Sequence, residues 1–575
     1  MKIGHRILPT VLGAWALLSA ETKVWEKEGV PPPQPLATRV SVGAYIFPGW
    51  YRDAGRGDVP YFSHDEQSEW KRNVMKVPGP RPLLGFYDDS LPEVNDWHIK
   101  WALEHGVSYF VFDWYWNAGE KRLARSLERG FLKAKYAPQM KFCVNWCNHG
   151  LDWKATTNGR LEFGQERLVS MIEYCADTYF KLPNHLSIDG RPVFMIYEVG
   201  PVIKACGGAE GFKKALAAMN AVMKSRHLKD LYLVYMDRYD GAETRAAGLD
   251  ALTAYVWLGA DPSSAYEWRG GQCLPYAEMP AYYLFKWRQL VASAPPPYIL
   301  PIGSDWDNRP RNGAKACFYT GRTPGAFKGM LSESLRFVDK RMNLALIEAW
   351  NEWGEGSYIE PDRRYQFGLL EAVAEVFGTR AASHVDWVPS AAKVRSYSVL
   401  SDAELAQAKA AETNAYPDPP LALKAFSASV DKPLPAKDPL LAWEFSAGKE
   451  GWTGFYLDAL EAQGGLLTGV VNGDDPKILR DGLALPVDSI GTLAVRLRVS
   501  PGLNPVEVFW ATAEEPKESP VRCTRFALET DGAWHTYQVA PIRADAWKGS
   551  LKLLRLDVGR SGDRVEYDWI RLYRK

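Results

Sequence analysis

At 575 residues the chain is too long for one ordinary core, so two or more domains are expected. Lys+Arg and Asp+Glu both number 69, a formal net charge of zero, which removes the basic field that recruits nucleic acid and the polybasic segment that recruits a membrane surface. The 23 Trp and 28 Tyr exceed what cores normally absorb and favour aromatic-lined clefts.

Residues 1–20 read as a signal peptide. Lys2, His5 and Arg6 precede an apolar stretch from Ile7 to Leu18, and the small residues Ser19 and Ala20 mark a cleavage point. Export to the periplasm or beyond is therefore expected. The stretch holds Pro9 and is too short to span a bilayer, and no later segment approaches about 18 uninterrupted apolar residues, so stable membrane insertion is not expected.

From residue 39 to 380, short apolar runs alternate with helical patterns. The runs are Ser41–Phe47, Val107–Asp113, Met140–Trp146, Val193–Glu198, Leu231–Asp237, Ala251–Trp257, Tyr298–Ser304 and Leu344–Trp350. Helices are predicted over Leu91–His105, Ala124–Lys135, Gly164–Tyr179, Gly211–Arg226, Ala277–Ala294 and Pro324–Asn343. This order predicts an α/β fold, a (β/α)8 TIM barrel. An open doubly wound sheet is the alternative, but no Gly-x-Gly-x-x-Gly follows a strand. Residues 381–440 read as a helix, Ala403–Glu412, and a Pro-rich linker through Tyr416–Pro420 and Lys432–Pro435. Residues 441–575 show short alternating runs between Gly and Asp turns, which predicts a C-terminal antiparallel β-sandwich of jelly-roll type. Within it, alternation can turn Trp569 inward.

Seven cysteines, at 143, 147, 175, 206, 273, 317 and 523, leave at least one unpaired. Cys143 and Cys147 with His149 have a metal-like outline. Cys143 lies in an apolar strand pattern and no second ligand pair follows at zinc spacing, so packing is the preferred reading; neither metal nor cofactor is expected.

The chemistry concentrates in Trp350-Asn351-Glu352-Trp353-Gly354-Glu355-Gly356, after the eighth run. Two glycines argue for a strand ending in a tight, exposed turn. Paired carboxylates beside indole rings suit glycosidic-bond cleavage, in which one carboxyl donates a proton and the other accepts one. A spacing of three residues leans towards the closer separation of retaining enzymes. The other strand ends carry Tyr45, Trp50, Asp113, Trp114, Trp116, Asn145, Trp146, Tyr197 and Tyr255. With Trp350, Asn351 and Trp353 these are candidate substrate-binding residues, because a barrel turns all its carboxyl ends to one rim. Glu360 binds a sugar hydroxyl or stabilises the loop. The common barrel arrangement, with Asn-Glu after the fourth strand, does not fit, because Tyr197 precedes Glu198.

The final motif and the following Tyr358-Ile359-Glu360-Pro361-Asp362 resemble the signature of WbsX-type proteins, relatives of the glycoside hydrolase family 99 endo-α-mannosidases and endo-mannanases. Ala44–Pro48, Leu84–Asp88, His105–Trp116 and Ile188–Phe194 are similar as well, so the resemblance covers roughly residues 40–375. It implies a (β/α)8 barrel and a metal-independent, retaining endo-glycosidase. By that resemblance Glu352 is the base that deprotonates the substrate's own 2-hydroxyl. Glu355 protonates the leaving oxygen, and a 1,2-anhydro-sugar forms between the two steps. Tyr45 and Tyr255 match tyrosines near the reacting sugar. Gly354 stands where the mannosidases have histidine. The sandwich resembles carbohydrate-binding modules. Two other readings stay open: a non-catalytic glycan-binding protein, and a glycosyltransferase using Asp305-Trp306-Asp307.

Overall fold

The computed structural model describes residues 25–575 apart from 53–67, 118, 149–163, 237–241, 259–265, 269–270, 277, 293–295, 382, 414–428, 473–475, 500–504, 515–522, 528–531, 540–548 and 558–563. Residues 1–20, read from the sequence as a signal peptide, and Tyr416–Pro420 lie outside the described residues.

Eight parallel strands form the barrel, within a sheet of ten strands among the described residues. They are β1 (Ser41–Ile46), β2 (Val107–Asn117), β3 (Lys141–Trp146), β4 (Arg191–Ile196), β5 (Tyr232–Met236), β6 (Ala251–Thr253), β7 (Leu300–Gly303) and β8 (Leu344–Glu348). Each pairs with its sequence neighbour, and β8 pairs with β1. Closure between β6 and β7 rests on one bridge, in which Leu252 N donates to Pro297 O at 3.0 Å and Ile299 N donates to Leu252 O at 2.9 Å. The predicted barrel is therefore closed. β6 is shorter than its apolar run, stopping at Thr253.

Helices cover the outside: α1 (Pro92–Glu104), α2 (Gln165–Cys175), α3 (Ala209–Ser225), α4 (Glu278–Ala292), α5 (Pro324–Ser334) and α6 (Gly368–Phe377). At α5, Pro324 occupies the first turn and the Thr323 hydroxyl accepts from Ala326 N at 3.1 Å, so capping and a fixed φ start the helix together. The helix predicted over Ala124–Lys135 is instead a run of short, uneven turns, Ser126–Gly130 and Phe131–Lys133. There Gly130 presses on the Asp89 carbonyl, and a Cβ would come within 2.3 Å of it.

Alternation along the strands splits side chains between two cores. Tyr45, Tyr109, Val111, Cys143, Val193, Met195, Val234, Ile299 and Leu346 fill the barrel interior. Phe110, Phe112, Trp114, Phe142 and Ile347 face the helices. Tyr109 crosses the interior over Gly43, donates to Ala345 O at 2.7 Å, and leaves no room for a larger residue at 43.

The segment after α6 folds back on the barrel. Trp387–Pro389 pairs in parallel with Trp25–Lys27. Helices Ala391–Tyr397 and Asp402–Thr413 follow, and Glu404 and Glu412 of the second pair with Lys71 and Arg81, both at 3.3 Å. The C-terminal region is a sandwich of a seven-stranded and a six-stranded antiparallel sheet, as predicted. Its core holds Trp443, Trp452 and Trp510. Trp569 does not turn inward. The strand Arg564–Arg574 slips register at Asp568, so Tyr567 and Ile570 take the core positions, and Trp569 packs outside against Ala494 and Tyr573. No helix among the described residues is long and apolar enough to cross a membrane.

Gly43→Ala places a methyl group on the Tyr109 ring, and overpacking of that kind should destabilise the barrel by about 1–3 kcal/mol in urea unfolding. An unchanged midpoint would show that Tyr109 can move aside.

Candidate active site

Beyond β8 the chain forms a short hairpin. β9 (Asn351–Glu352) pairs antiparallel with β10 (Ser357–Tyr358), and Trp353–Gly356 makes the turn. Trp350 N donates to Tyr45 O at 2.7 Å, and Phe47 N donates to Asn351 Oδ1 at 2.9 Å, so the hairpin is stitched to the exit of β1. The predicted tight turn is present, but it is packed rather than exposed. The loop after β7 lies across it, with Asp307 N donating to Glu355 O. Gly356 has φ +70°, and a Cβ there would meet Asp307 Cβ at 2.5 Å. At Gly354, a Cβ would stand 2.8 Å from two nitrogens of Arg311. Each glycine makes room for that loop.

Arg311 occupies the centre of the site. Its Nη1 donates to Glu355 Oε1 at 2.6 Å, its Nη2 to Glu352 Oε1 at 3.1 Å, and its Nε to Glu69 Oε1 at 2.9 Å. Burial works against the guanidinium, but Glu352, Glu69 and Glu355 outweigh it and hold the cation firmly charged. One cation cannot neutralise three acids. Burial raises the carboxyls of both Glu352 and Glu355, Arg311 lowers them, and their mutual repulsion pushes Glu352 further up. Two such groups release protons as a pair, one easily and one late. The site can thus hold a proton and a negative charge side by side.

A cavity of about 330 Å³ opens here, lined by Phe47, Asp113, Tyr115, Cys147, Tyr197, Tyr255, Val256, Leu258, Trp306, Arg311, Glu352 and Glu355. Asp113 accepts from Asn145 Nδ2 at 3.0 Å and from the Tyr255 hydroxyl at 3.1 Å. Burial raises its carboxyl to about 7. Below the cavity Glu348 is fully buried, and burial followed by repulsion from Glu355 raises its carboxyl well above the ordinary range, with Ser357 acting the other way.

Of the sequence-predicted residues, Asp113, Tyr197, Tyr255, Glu352 and Glu355 meet in this cavity. Asn145 supports it through Asp113, and Tyr45 lies under it, its ring 4.8 Å from that of Tyr255. Others are brought elsewhere. Trp114 and Trp116 stack at 5.5 Å on the outer face of β2, and Trp146 Nε1 donates to Trp116 O at 3.1 Å. Strand alternation sends these three indoles towards the helices while Asp113 and Asn145 point in. Trp50 packs against Trp70 at 4.2 Å, and Trp350 against Phe110 at 5.2 Å. Trp353 stacks on Tyr358 at 3.9 Å and donates to Glu360 at 2.8 Å. Glu360 also accepts from Tyr87 at 2.9 Å and lies 3.0 Å from His98 Nε2, which places it in the loop-stabilising role. Asn351 is the hairpin's stitch to β1. Of the metal-like trio, Cys143 is interior, Cys147 lines the cavity, and His149 lies outside the described residues. The six cysteines whose side chains are described are all free thiols.

Sequence reasoning did not place Arg311, Glu69, Phe47, Tyr115 or Cys147 in the site, and Cys147 entered that reasoning only as part of the metal-like trio. Arg311 sits in a single helical turn, Arg309–Asn312, too short to show periodicity. Its only trace in the sequence is Gly354, where a side chain is expected.

A closed parallel barrel whose strand ends gather paired carboxylates around a cavity has the layout of a barrel enzyme, in which the active site occupies that rim. The chain belongs to the WbsX family: residues 77–373, more than half of it, match the family described as Glycosyltransferase WbsX. It is similar to the uncharacterized protein WxcX of Xanthomonas campestris pv. campestris strain B100, at 25% identity over 317 residues, covering 52% of this chain and 43% of the relative. The match thus spans under half the length of that curated relative. Among solved structures, a glycoside hydrolase-like protein aligns at 17% identity with a TM-score of 0.43, covering 61% of this chain and 97% of that one. An endo-alpha-mannosidase of glycoside hydrolase family 99 from Bacteroides thetaiotaomicron aligns at 17% identity with a TM-score of 0.37, covering 65% and 99%.

Two outcomes follow from the charges. Native Asp113 keeps its proton to about pH 7, whereas an unfolded Asp releases it near pH 3.9. The folded state therefore binds the extra proton between those values, and stability falls as pH rises from about 4 to 7. Asp113→Asn should flatten part of that decline in thermal unfolding; an identical slope would place the titration elsewhere. Arg311→Met leaves three carboxylates buried without their cation and should destabilise the fold by about 3–5 kcal/mol at neutral pH, less in acid, by urea unfolding.

Proposed function

We propose that the chain is an exported endo-glycosidase that cleaves an α-linked polysaccharide with retention, using Glu352 and Glu355. The observation that carries this reading is the pair itself: both carboxylates engage one guanidinium and line one cavity walled by Tyr197, Tyr255 and Trp306. Aromatic walls suit the apolar faces of sugar rings. The basic and apolar pattern of residues 2–18 supports export.

Roles follow the motif's resemblance. Glu352 takes the proton of the sugar's 2-hydroxyl, and the oxygen attacks the anomeric carbon. The bond to the leaving oxygen breaks as Glu355 gives that oxygen its proton. Glu355 then takes a proton from water, which opens the 1,2-anhydro-sugar at the anomeric carbon while O2 regains its proton from Glu352. Arg311 favours the charged form of each acid in turn, and burial favours the neutral form; such opposed pressures separate an acid from a base in a shared site. The family description favours a second reading, sugar transfer. Against it, both acids of the Asp305-Trp306-Asp307 triplet are engaged, Asp305 by Arg322 at 3.0 Å and Asp307 by Arg309 at 2.8 Å.

Glu352→Gln and Glu355→Gln should each lower the release of oligosaccharides from a responsive polysaccharide by about 10²–10⁴-fold. Hydrolysis surviving both changes sinks the assignment. Consumption of a nucleotide-sugar donor, lost when Asp305 and Asp307 are replaced, would establish transfer instead.

A further inference from the structure

Two histidines and an aspartate converge at the end of the barrel opposite the cavity. His105 follows α1 directly and precedes the start of β2, while His384 and Asp386 lie in the segment after α6. His105 Nε2 and His384 Nε2 are 3.2 Å apart, His384 Nε2 and Asp386 Oδ1 are 3.0 Å apart, and His105 Nε2 and Asp386 Oδ1 are 3.5 Å apart. All three side chains are largely buried, at 1%, 6% and 14% exposure.

We propose that this triad binds a divalent transition-metal ion, Zn²⁺ foremost, which clamps the segment leaving the barrel onto α1. Imidazole nitrogens and carboxylate oxygens sit about 2.0–2.2 Å from zinc, so at tetrahedral angles two ligand atoms stand about 3.3 Å apart. The three separations straddle that value. The ring of His105 is also oriented for a metal. Its Nδ1 lies 2.8 Å from the Trp101 carbonyl, which can only accept, so Nδ1 carries the proton. In the neutral ring Nε2 is then a lone pair, 3.2 Å from His384 Nε2 and 3.5 Å from Asp386 Oδ1, and it faces the point between them where a cation would sit. A backbone carbonyl holding the far nitrogen is the usual support of a ligating histidine. Two imidazoles and one carboxylate suit zinc, and a triad of this composition also takes Fe²⁺ when further positions stay open.

The surroundings leave such a position. A cavity of about 730 Å³, lined also by Arg39, Lys328, Glu371, Glu375 and Arg380, borders the triad, so water can complete the shell. The mechanical consequence is local. Trp101 Nε1 donates to the carbonyl of Trp387 at 2.8 Å, one residue beyond Asp386, and Trp387–Pro389 pairs with Trp25–Lys27. An ion would fasten this whole edge. His384 and Asp386 lie beyond residues 77–373, so two of the three ligands fall outside the matched family region and His105 falls within it.

The test uses the full chain, stripped with a chelator and dialysed, then supplied with Zn²⁺, Fe²⁺ or Co²⁺ alone. Wild type should retain about one equivalent of zinc by elemental analysis, show the visible bands of tetrahedral Co²⁺, and melt higher with zinc than without. His384→Gln and Asp386→Asn, each checked for a native circular dichroism spectrum, should lose the bands and bind zinc at least about 100-fold more weakly. Preference for Fe²⁺ without the tetrahedral bands would overturn the zinc assignment. Less than a tenth of an equivalent on wild type, or equal binding in both variants, would mean a hydrogen-bonded triad only and overturn the proposal.

Discussion

The site depends on one buried cation. Arg311 reaches Glu69 from the segment after β1, and Glu352 and Glu355 from the hairpin after β8. These acids come from neighbouring strands only because the sheet closes, with β8 paired to β1. Without the guanidinium, three carboxylates would be forced together out of water, and mutual repulsion would open the hairpin. With it, the loop after β7 lies down on the turn, which is why residues 354 and 356 are glycines.

The polar layer at the rim shares the same physics. Asp113 and Glu348 are buried acids held up by desolvation, with Glu355 adding repulsion. Such groups are unfavourable in a barrel that needs only packing, and below them the interior is Tyr109, Val111, Val193, Met195 and Leu346. The sharp change from apolar packing to crowded carboxyls marks the boundary between the part of the barrel that supports the fold and the part available for proton transfer.

Much of the fold was legible because the strands are apolar runs of ordinary length separated by amphipathic helices, and the eight runs correspond to the eight strands. The acid pair was legible because two glycines and two indoles bracket it. The aromatic set was too generous. Trp114, Trp116 and Trp146 sit at strand ends, but strand parity sends them outward, and parity decides which neighbour reaches a cavity. Arg311 was invisible because a single helical turn has no periodicity and its partner Glu69 lies 242 residues away. Trp569 was misjudged because one register slip reverses which side chains face the core.

The most direct test of the account is the stereochemistry of cleavage. On the first polysaccharide that yields oligosaccharides, proton NMR at early times reports the configuration of the new reducing end before it equilibrates. The account predicts the α-anomer first, with no nucleotide-sugar present. The β-anomer appearing first would contradict the paired roles of Glu352 and Glu355.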